Sequence, residues 1–232
     1  MNFVKLASLF SGGKDSTYAI YVAKRQGHEI KCLLSVSPKS DESHLLHHPN
    51  LKWTQLQSKA MNIPQLLDDS KSDDTEIELS SIMTLLQKAK NDFGIEGLLH
   101  GGIASEFQKQ KFETICNELH LQSMSPLWNT DPKKYMHELL ASHFEFIITS
   151  VSSGGLDDSW LGRKISYDDL DMLDSLSKKH GFNLNFEGGE AETFVINCPL
   201  FSCPVIITNG KKHWDGYRGR FEIVEAELKN NA

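Results

Sequence analysis

Six residues, Ser11-Gly12-Gly13-Lys14-Asp15-Ser16, stand between an apolar stretch from Phe3 to Phe10 and a helix-like stretch from Thr17 to Gln26, and that order restricts the chain more than any other feature. A strand that turns through two glycines into a helix opens a βα unit. The helix N-terminus carries unpaired N–H donors and partial positive charge, which together hold a phosphate anion. Gly12 and Gly13 let the backbone come close to a ligand and adopt conformations closed to other residues. Lys14 is expected to add a mobile positive charge, Ser11 and Ser16 hydroxyl donors, and Asp15 a ligand for a magnesium ion bridging phosphate oxygens. The segment therefore reads as a pyrophosphate cradle, with Lys14, Asp15 and Ser16 as its catalytic candidates and Asp15 as its metal ligand.

Two other phosphate loops do not fit. A Walker A loop needs two glycines separated by four residues and then Lys-Ser/Thr, and the dinucleotide fingerprint needs G-x-G-x-x-G. The segment resembles instead the SGGxDS loop of the N-type ATP pyrophosphatases, or PP-loop proteins. That resemblance implies cleavage of ATP to AMP and pyrophosphate, with a substrate activated at the α-phosphate.

At 232 residues the chain can hold one large domain or two small ones. Its net charge is −7 and it has no long run of Lys and Arg, so a tRNA or DNA substrate is disfavoured. Cys32, Cys116, Cys198 and Cys203 form no C-x-x-C pair and no zinc spacing, so they read as core or incidental thiols. No stretch approaches the ~20 apolar residues of a membrane span, and the N-terminal apolar run leads straight into the glycine loop rather than a cleavage pattern. A soluble, cytoplasmic protein is expected. The pattern fixes no oligomeric state, and a homodimer is compatible with it.

Strand-like runs at Val4 to Phe10, Ile30 to Val36, Gln65 to Leu67 and Gly97 to His100 alternate with helical patterns at Thr17 to Gln26, Leu51 to Met61, Ser80 to Phe93 and Ser105 to Leu119. Such alternation predicts an α/β fold with a parallel sheet covered on both faces by helices. Ligands in these sheets lie at the carboxyl ends of the strands, where the glycine loop and Gly101-Gly102 would share one crevice. The histidine-rich stretch Pro38 to Asn50 and the acidic run Asp68 to Glu78 read as solvated loops.

Past Met124-Ser125-Pro126 the character changes to a smaller α+β unit. It shows helices at Pro132 to Ala141 and Tyr167 to His180, and strands at Phe144 to Val151, Thr193 to Ile196, Val205 to Thr208 and Arg220 to Leu228. The expected domains are residues 1–125, binding ATP, and 126–232, binding substrate. Within the second, Glu187-Gly188-Gly189-Glu190-Ala191-Glu192-Thr193 gathers three carboxylates around two glycines. Two readings stay open: a site for a cation, offsetting the self-repulsion, or an exposed acidic hairpin. Trp128, Trp160 and Trp214 are likewise core residues or parts of a ligand cage.

In these segments taken together, the chain resembles the diphthine–ammonia ligase, or diphthamide synthase, family of the PP-loop superfamily. The resemblance is carried by Ser11 to Ser16, by Glu42-Ser43 with His47 and Pro49-Asn50, and by Gly101-Gly102-Ile103 with Ser105 and Gln108. It continues through Pro126-Leu127-Trp128, Trp160-Leu161-Gly162-Arg163, and Glu187 to Thr193 followed by Cys198-Pro199-Leu200-Phe201. Lys109 and Lys111 stand where members commonly have arginine, Ala191 where an aromatic is frequent and Asn197 where Asp is frequent. The resemblance implies a nucleotide-binding domain of the HUP-like (adenine nucleotide α-hydrolase-like) type. It also implies ATP and magnesium as cofactors, and ATP-dependent amidation of diphthine on translation elongation factor 2 with ammonium as nitrogen donor.

On that reading Ser11 to Ser16, Gly101 and Gly102 hold the nucleotide. Ser105, Gln108, Trp128, Trp160, Glu187, Gly188, Gly189, Glu190, Glu192 and Thr193 face the substrate, with Trp128 or Trp160 and with Glu190 and Glu192 around its trimethylammonium group. Ser105 alone also reads as a helix N-cap. Three other functions share the cradle: adenylation of a small carboxylate, adenylation of tRNA, and nucleotide sensing without turnover.

Overall fold

A computed structural model describes residues 3–37, 50–70, 72 and 74–229. The histidine-rich stretch, with Glu42, Ser43, His47 and Pro49, lies outside the described residues. By their contacts the residues divide into two units, Met1–Ser11 with Asp15–Trp128, and Gly12–Lys14 with Asn129–Ala232.

The first unit is built on β1 (Lys5–Leu9), β2 (Glu29–Ser37), β3 (Gln65–Asp69), β4 (Gly97–Leu99) and β5 (Gln122–Met124), paired in the order β3-β2-β1-β4-β5. Every pairing is parallel, so each connection is a crossover. The crossovers are the helices α1 (Lys14–Arg25), α2 (Thr54–Met61), α3 (Thr75–Phe93) and α4 (Glu106–Glu118). Right-handed crossovers in this order put α1 and α2 on one face and α3 and α4 on the other. The side chains agree. Ala7, Cys32, Leu34, Val36 and Leu98 pack with Ile82, Leu86, Phe112 and Ile115 of α3 and α4. The alternate residues Leu6 and Leu33, fully buried, face the other way. On that second face Gln65 Nε2 donates to Ser35 Oγ and Thr54 Oγ1, each at 2.8 Å, which ties α2 to the sheet.

This is the expected α/β class, with two local differences. The acidic run is not a loop throughout. Asp68 and Asp69 end β3, and α3 starts at Thr75, with the Asp74 carboxylate capping it by accepting from the N–H groups of Glu76 and Ile77. Acidic residues in a first helical turn are favoured by the positive end of the helix dipole, so a charge run of this kind marks a helix start. Strand β5, three residues long, is too short to leave a periodic signal.

The second unit carries an antiparallel sheet of β6 (Glu145–Val151), β7 (Ala191–Asn197), β8 (Val205–Trp214) and β9 (Gly219–Leu228) in the order β7-β6-β9-β8. Helices α5 (Pro132–Ala141) and α6 (Tyr167–His180) complete it. Tyr135, Phe146, Ile148, Leu173, Phe194 and Val195 are buried at its centre. Among the described residues no helix is long and apolar enough to cross a membrane.

Candidate active site

The glycine loop closes on its own helix. Ser11 N–H donates to Ser16 Oγ at 3.4 Å and the two hydroxyls lie 3.2 Å apart, while Gly12 takes the left-handed conformation with φ 79°. In the first unit the end of β4 lies directly against the first turn of α1. A Cβ on Gly101 would stand 2.6 Å from the Asp15 carbonyl carbon and 2.7 Å from the Ser16 nitrogen. Only glycine permits that approach. The two glycine turns are thus brought together, as the sequence predicts, but Gly101 makes room for polypeptide.

His100, next to Gly101, was not singled out by the sequence reading. It is 2% exposed, with its ring 5.0 Å from that of Phe112, and its Nδ1 accepts the Gly102 N–H at 3.3 Å. Burial, reinforced by the Lys109 charge, pushes its pKa down to about 4. The neutral ring then carries its proton on Nε2, which is buried and has no hydrogen-bond partner among the described residues. A histidine between an apolar strand and a Gly-Gly turn was the available signal. Beyond it Ser105 Oγ caps α4 by accepting from Gln108 N–H at 3.3 Å. Lys109 Nζ lies 4.4 Å from the centre of the half-buried Trp128 ring, and Lys111 pairs with Glu76 at 2.6 Å.

In the second unit β7 grips the middle of the loop. Lys14 N–H donates to Thr193 Oγ1 at 3.1 Å, and Val195 N–H donates to the Gly12 carbonyl at 3.0 Å. The glycine loop and the strand that follows the glutamate segment, far apart in sequence, therefore meet. The expectation of a mobile Lys14 is corrected. Its residue is 2% exposed and its Nζ lies 5.5 Å from the Phe186 ring centre and 5.9 Å from that of Tyr135. Aromatic faces hold the cation in place where water cannot.

The three glutamates do not form one open acidic cluster. Glu190 Oε1 accepts from Asn183 N–H and Nδ2 at 2.8 and 2.9 Å, and Oε2 from Gly188 N–H at 2.8 Å. Ser152 Oγ donates to the Gly189 carbonyl at 2.7 Å. Glu190 thus folds the 183–190 loop around its own carboxylate, a pattern charge counting does not reveal. Glu187 N–H turns back to Asn185 Oδ1 at 3.4 Å, and Glu192 lies opposite Ser150 in β6.

Trp160 is 3% exposed, and the Arg163 guanidinium lies 4.9 Å from its ring centre while pairing with Asp169. A ring so covered presents no wall for a substrate cation, so Trp160 and Glu190 have structural partners where the sequence reading placed substrate. Among the described residues no group of three His, Cys, Asp or Glu side chains could hold a metal. The thiols fit their core reading. Burial pushes Cys32, Cys116 and Cys198 up to about 12, 11 and 12, which leaves them protonated and unreactive.

Fold and loop together define a nucleotide-binding α/β protein of the PP-loop kind. Residues 4–123 match the family model described as the diphthamide synthase N-terminal domain, and residues 131–228 the one described as the diphthamide synthase C-terminal domain. A relative named diphthine–ammonia ligase from Rattus norvegicus is 32% identical over 88% of this chain and 83% of its own. One of the same name from Homo sapiens is 31% identical over 90% and 84%. The relative of that name from Schizosaccharomyces pombe is 28% identical over 89% of this chain, but over only 36% of its own greater length. The chain belongs to the diphthamide synthase family. Among solved structures, one described as a predicted subunit of a tRNA methyltransferase from Methanocaldococcus jannaschii has a TM-score of 0.43 at 17% identity, covering 84% of this chain and 98% of that one. That likeness is too low to bear on fold or function.

Proposed function

We propose that this protein is a diphthine–ammonia ligase, converting the carboxylate of diphthine on translation elongation factor 2 into an amide at the expense of ATP and ammonium. The observation that carries the reading is the closed loop at Ser11–Ser16, held at Gly12 and Lys14 by the strand that follows the glutamate segment, in a chain of this family. Residues 1–125 bind ATP and residues 126–232 bind the modified protein, in the cytoplasm.

A carboxylate is a poor acyl donor because oxide would have to leave. Attack of the diphthine carboxylate on the ATP α-phosphorus forms an acyl adenylate and releases pyrophosphate. Ammonia then attacks the acyl carbon, the bond to AMP breaks, and a proton is lost to give the amide. The α1 N-terminus and the loop hydroxyls of Ser11 and Ser16 stabilise the charge that gathers on the departing pyrophosphate. Lys14 contributes its field from a fixed position. Gly101 and Gly102 keep the end of β4 against that helix, and Ser105 and Gln108 stand at the start of α4 behind it.

Magnesium suits the donor set here. It commonly binds through one or two carboxylates and completes its shell with phosphate oxygens and water, and Asp15 is the single acid of the loop. When bound it offsets phosphate charge. For the trimethylammonium group the candidate is Trp128, which is half-buried where Trp160 is covered. Glu187, Gly188, Gly189, Glu192 and Thr193 remain the substrate-side segment, with Glu190 shaping it.

The test incubates the protein with ATP, magnesium, ammonium and diphthine-bearing elongation factor 2. Mass spectrometry of the factor and chromatography of the nucleotide give the products. Replacement of OH by NH2 with formation of AMP, abolished by Asp15→Ala, is the predicted result. ADP, or unchanged ATP with unmodified factor, would refute the reading.

A further inference from the structure

The ribbon of β8 and β9 is anchored to β6 at its closed end and runs free of β6 toward its open end. β9 meets β6 only at Gly219 and Arg220, whereas β8 and β9 pair all the way from Val205↔Leu228 to Trp214↔Gly219. At the closed end Trp214 is 38% and Tyr217 59% exposed. Lys211, Lys212, Arg218 and Arg220 stand there within ten residues, with Asp215 among them and Glu222, bonded to His213, opposite Lys211, in a chain whose net charge is −7.

We propose that this hairpin tip is the docking element for the modified protein substrate, engaging an acidic patch on that protein's surface. The proposal rests on the ligase reading and names the contact that brings the protein to the site. Trp, Tyr and Arg are the residues that most often dominate binding energy at protein interfaces. Here they are concentrated at one exposed end.

The tip is also preorganised. Asp215 Oδ1 accepts from Tyr217 N–H at 2.8 Å and Arg218 N–H at 2.7 Å, and Asp215 N–H donates to the Arg218 carbonyl at 3.0 Å. Lys212 Nζ donates to the Asp158 carbonyl at 2.9 Å, fastening the ribbon to the body of its unit. A surface already fixed loses little conformational entropy when it binds. The acidic balance of the rest of the chain repels an acidic partner elsewhere and leaves the tip as its point of attachment. The same balance disfavours nucleic acid, which needs a longer basic track than four side chains.

The test uses the full chain and diphthine-bearing elongation factor 2, with Kd measured by calorimetry and KM and kcat by amidation. Trp214→Ala with Tyr217→Ala, and separately Lys211→Glu with Arg218→Glu, are predicted to raise Kd and KM about tenfold or more with kcat within about twofold. The charge-reversed variant should also lose the salt dependence of wild-type binding. Tyr217→Ala alone, at the more exposed of the two aromatic residues, should show a smaller rise in both constants and an unchanged thermal midpoint.

If the wild type amidates the factor and the variants match its Kd and KM, docking is overturned and the ligase reading stands. If the wild type binds the factor through these residues yet forms no amide, docking stands and the ligase reading falls. No wild-type binding, or preference for a single-stranded RNA through the same residues, overturns the docking.

Discussion

Gly101 and Gly102 are neighbours with different duties, and substitution separates them. Alanine at 101 would drive a methyl into the Asp15 and Ser16 backbone at 2.6 to 2.8 Å, where nothing can rotate away, whereas at 102 it would meet the His100 ring at 3.0 Å. We predict that Gly101→Ala costs roughly 1–3 kcal/mol by overpacking and weakens ATP binding, and that Gly102→Ala costs less. Urea unfolding and nucleotide titration check both. His100 sets a pH dependence of known sign. Its folded pKa of about 4 lies below its ordinary 6.5, so the unfolded chain binds the extra proton between those values. Stability is full above pH 6.5 and falls through that window, by up to ~3 kcal/mol. His100→Phe should flatten this part of the unfolding profile, and an unchanged profile would contradict the assignment. At Glu145 the sign is the same. The Asn197 side-chain amide first, and Lys164 second, hold its pKa low, so its stabilisation is present above 4.5 and is lost in acid. Asn197→Asp would set two carboxylates together and cost up to about 1 kcal/mol at neutral pH, discounted because Glu145 is partly exposed. That loss should shrink toward pH 4 as one carboxyl takes a proton.

Helix α6 shows why single elements were only partly legible. Ser166 and Asp169 form a capping box readable from the sequence, each accepting from the other's backbone N–H. What the sequence does not announce is that Arg163, the last residue of the Trp160-Leu161-Gly162-Arg163 motif, pairs with the nearly buried Asp169 while lying over Trp160. Arg163→Ala is therefore predicted to remove the counter-charge of the Asp169 carboxylate, which keeps its Ser166 bonds, and to cost up to about 3 kcal/mol, and Arg163→Lys to recover only part because the planar fork is lost. Thermal or urea midpoints give the ranking. The same limit separates the parallel sheet from the short strand β5. Long alternating strands and helices carry a period, whereas three residues held by neighbours do not. It also separates Ser11–Ser16, whose chemistry is local, from Glu190, whose carboxylate is engaged by Asn183 and Gly188 in a loop that only the fold closes.

Taken as a whole molecule, the chain pairs a parallel α/β unit with an antiparallel unit whose strand β7 holds residues of the glycine loop. The matches to both diphthamide synthase domains follow that succession along the sequence. Its chemistry depends on one claim, that the loop receives the pyrophosphate end of ATP while the α-phosphate is left open to a carboxylate. A crystal structure of the protein with magnesium and a non-hydrolysable ATP analogue tests it directly. The β- and γ-phosphates are expected against the backbone of residues 11–16, with the metal on Asp15. Phosphates bound away from that loop, with the loop still closed on Ser16, would contradict it.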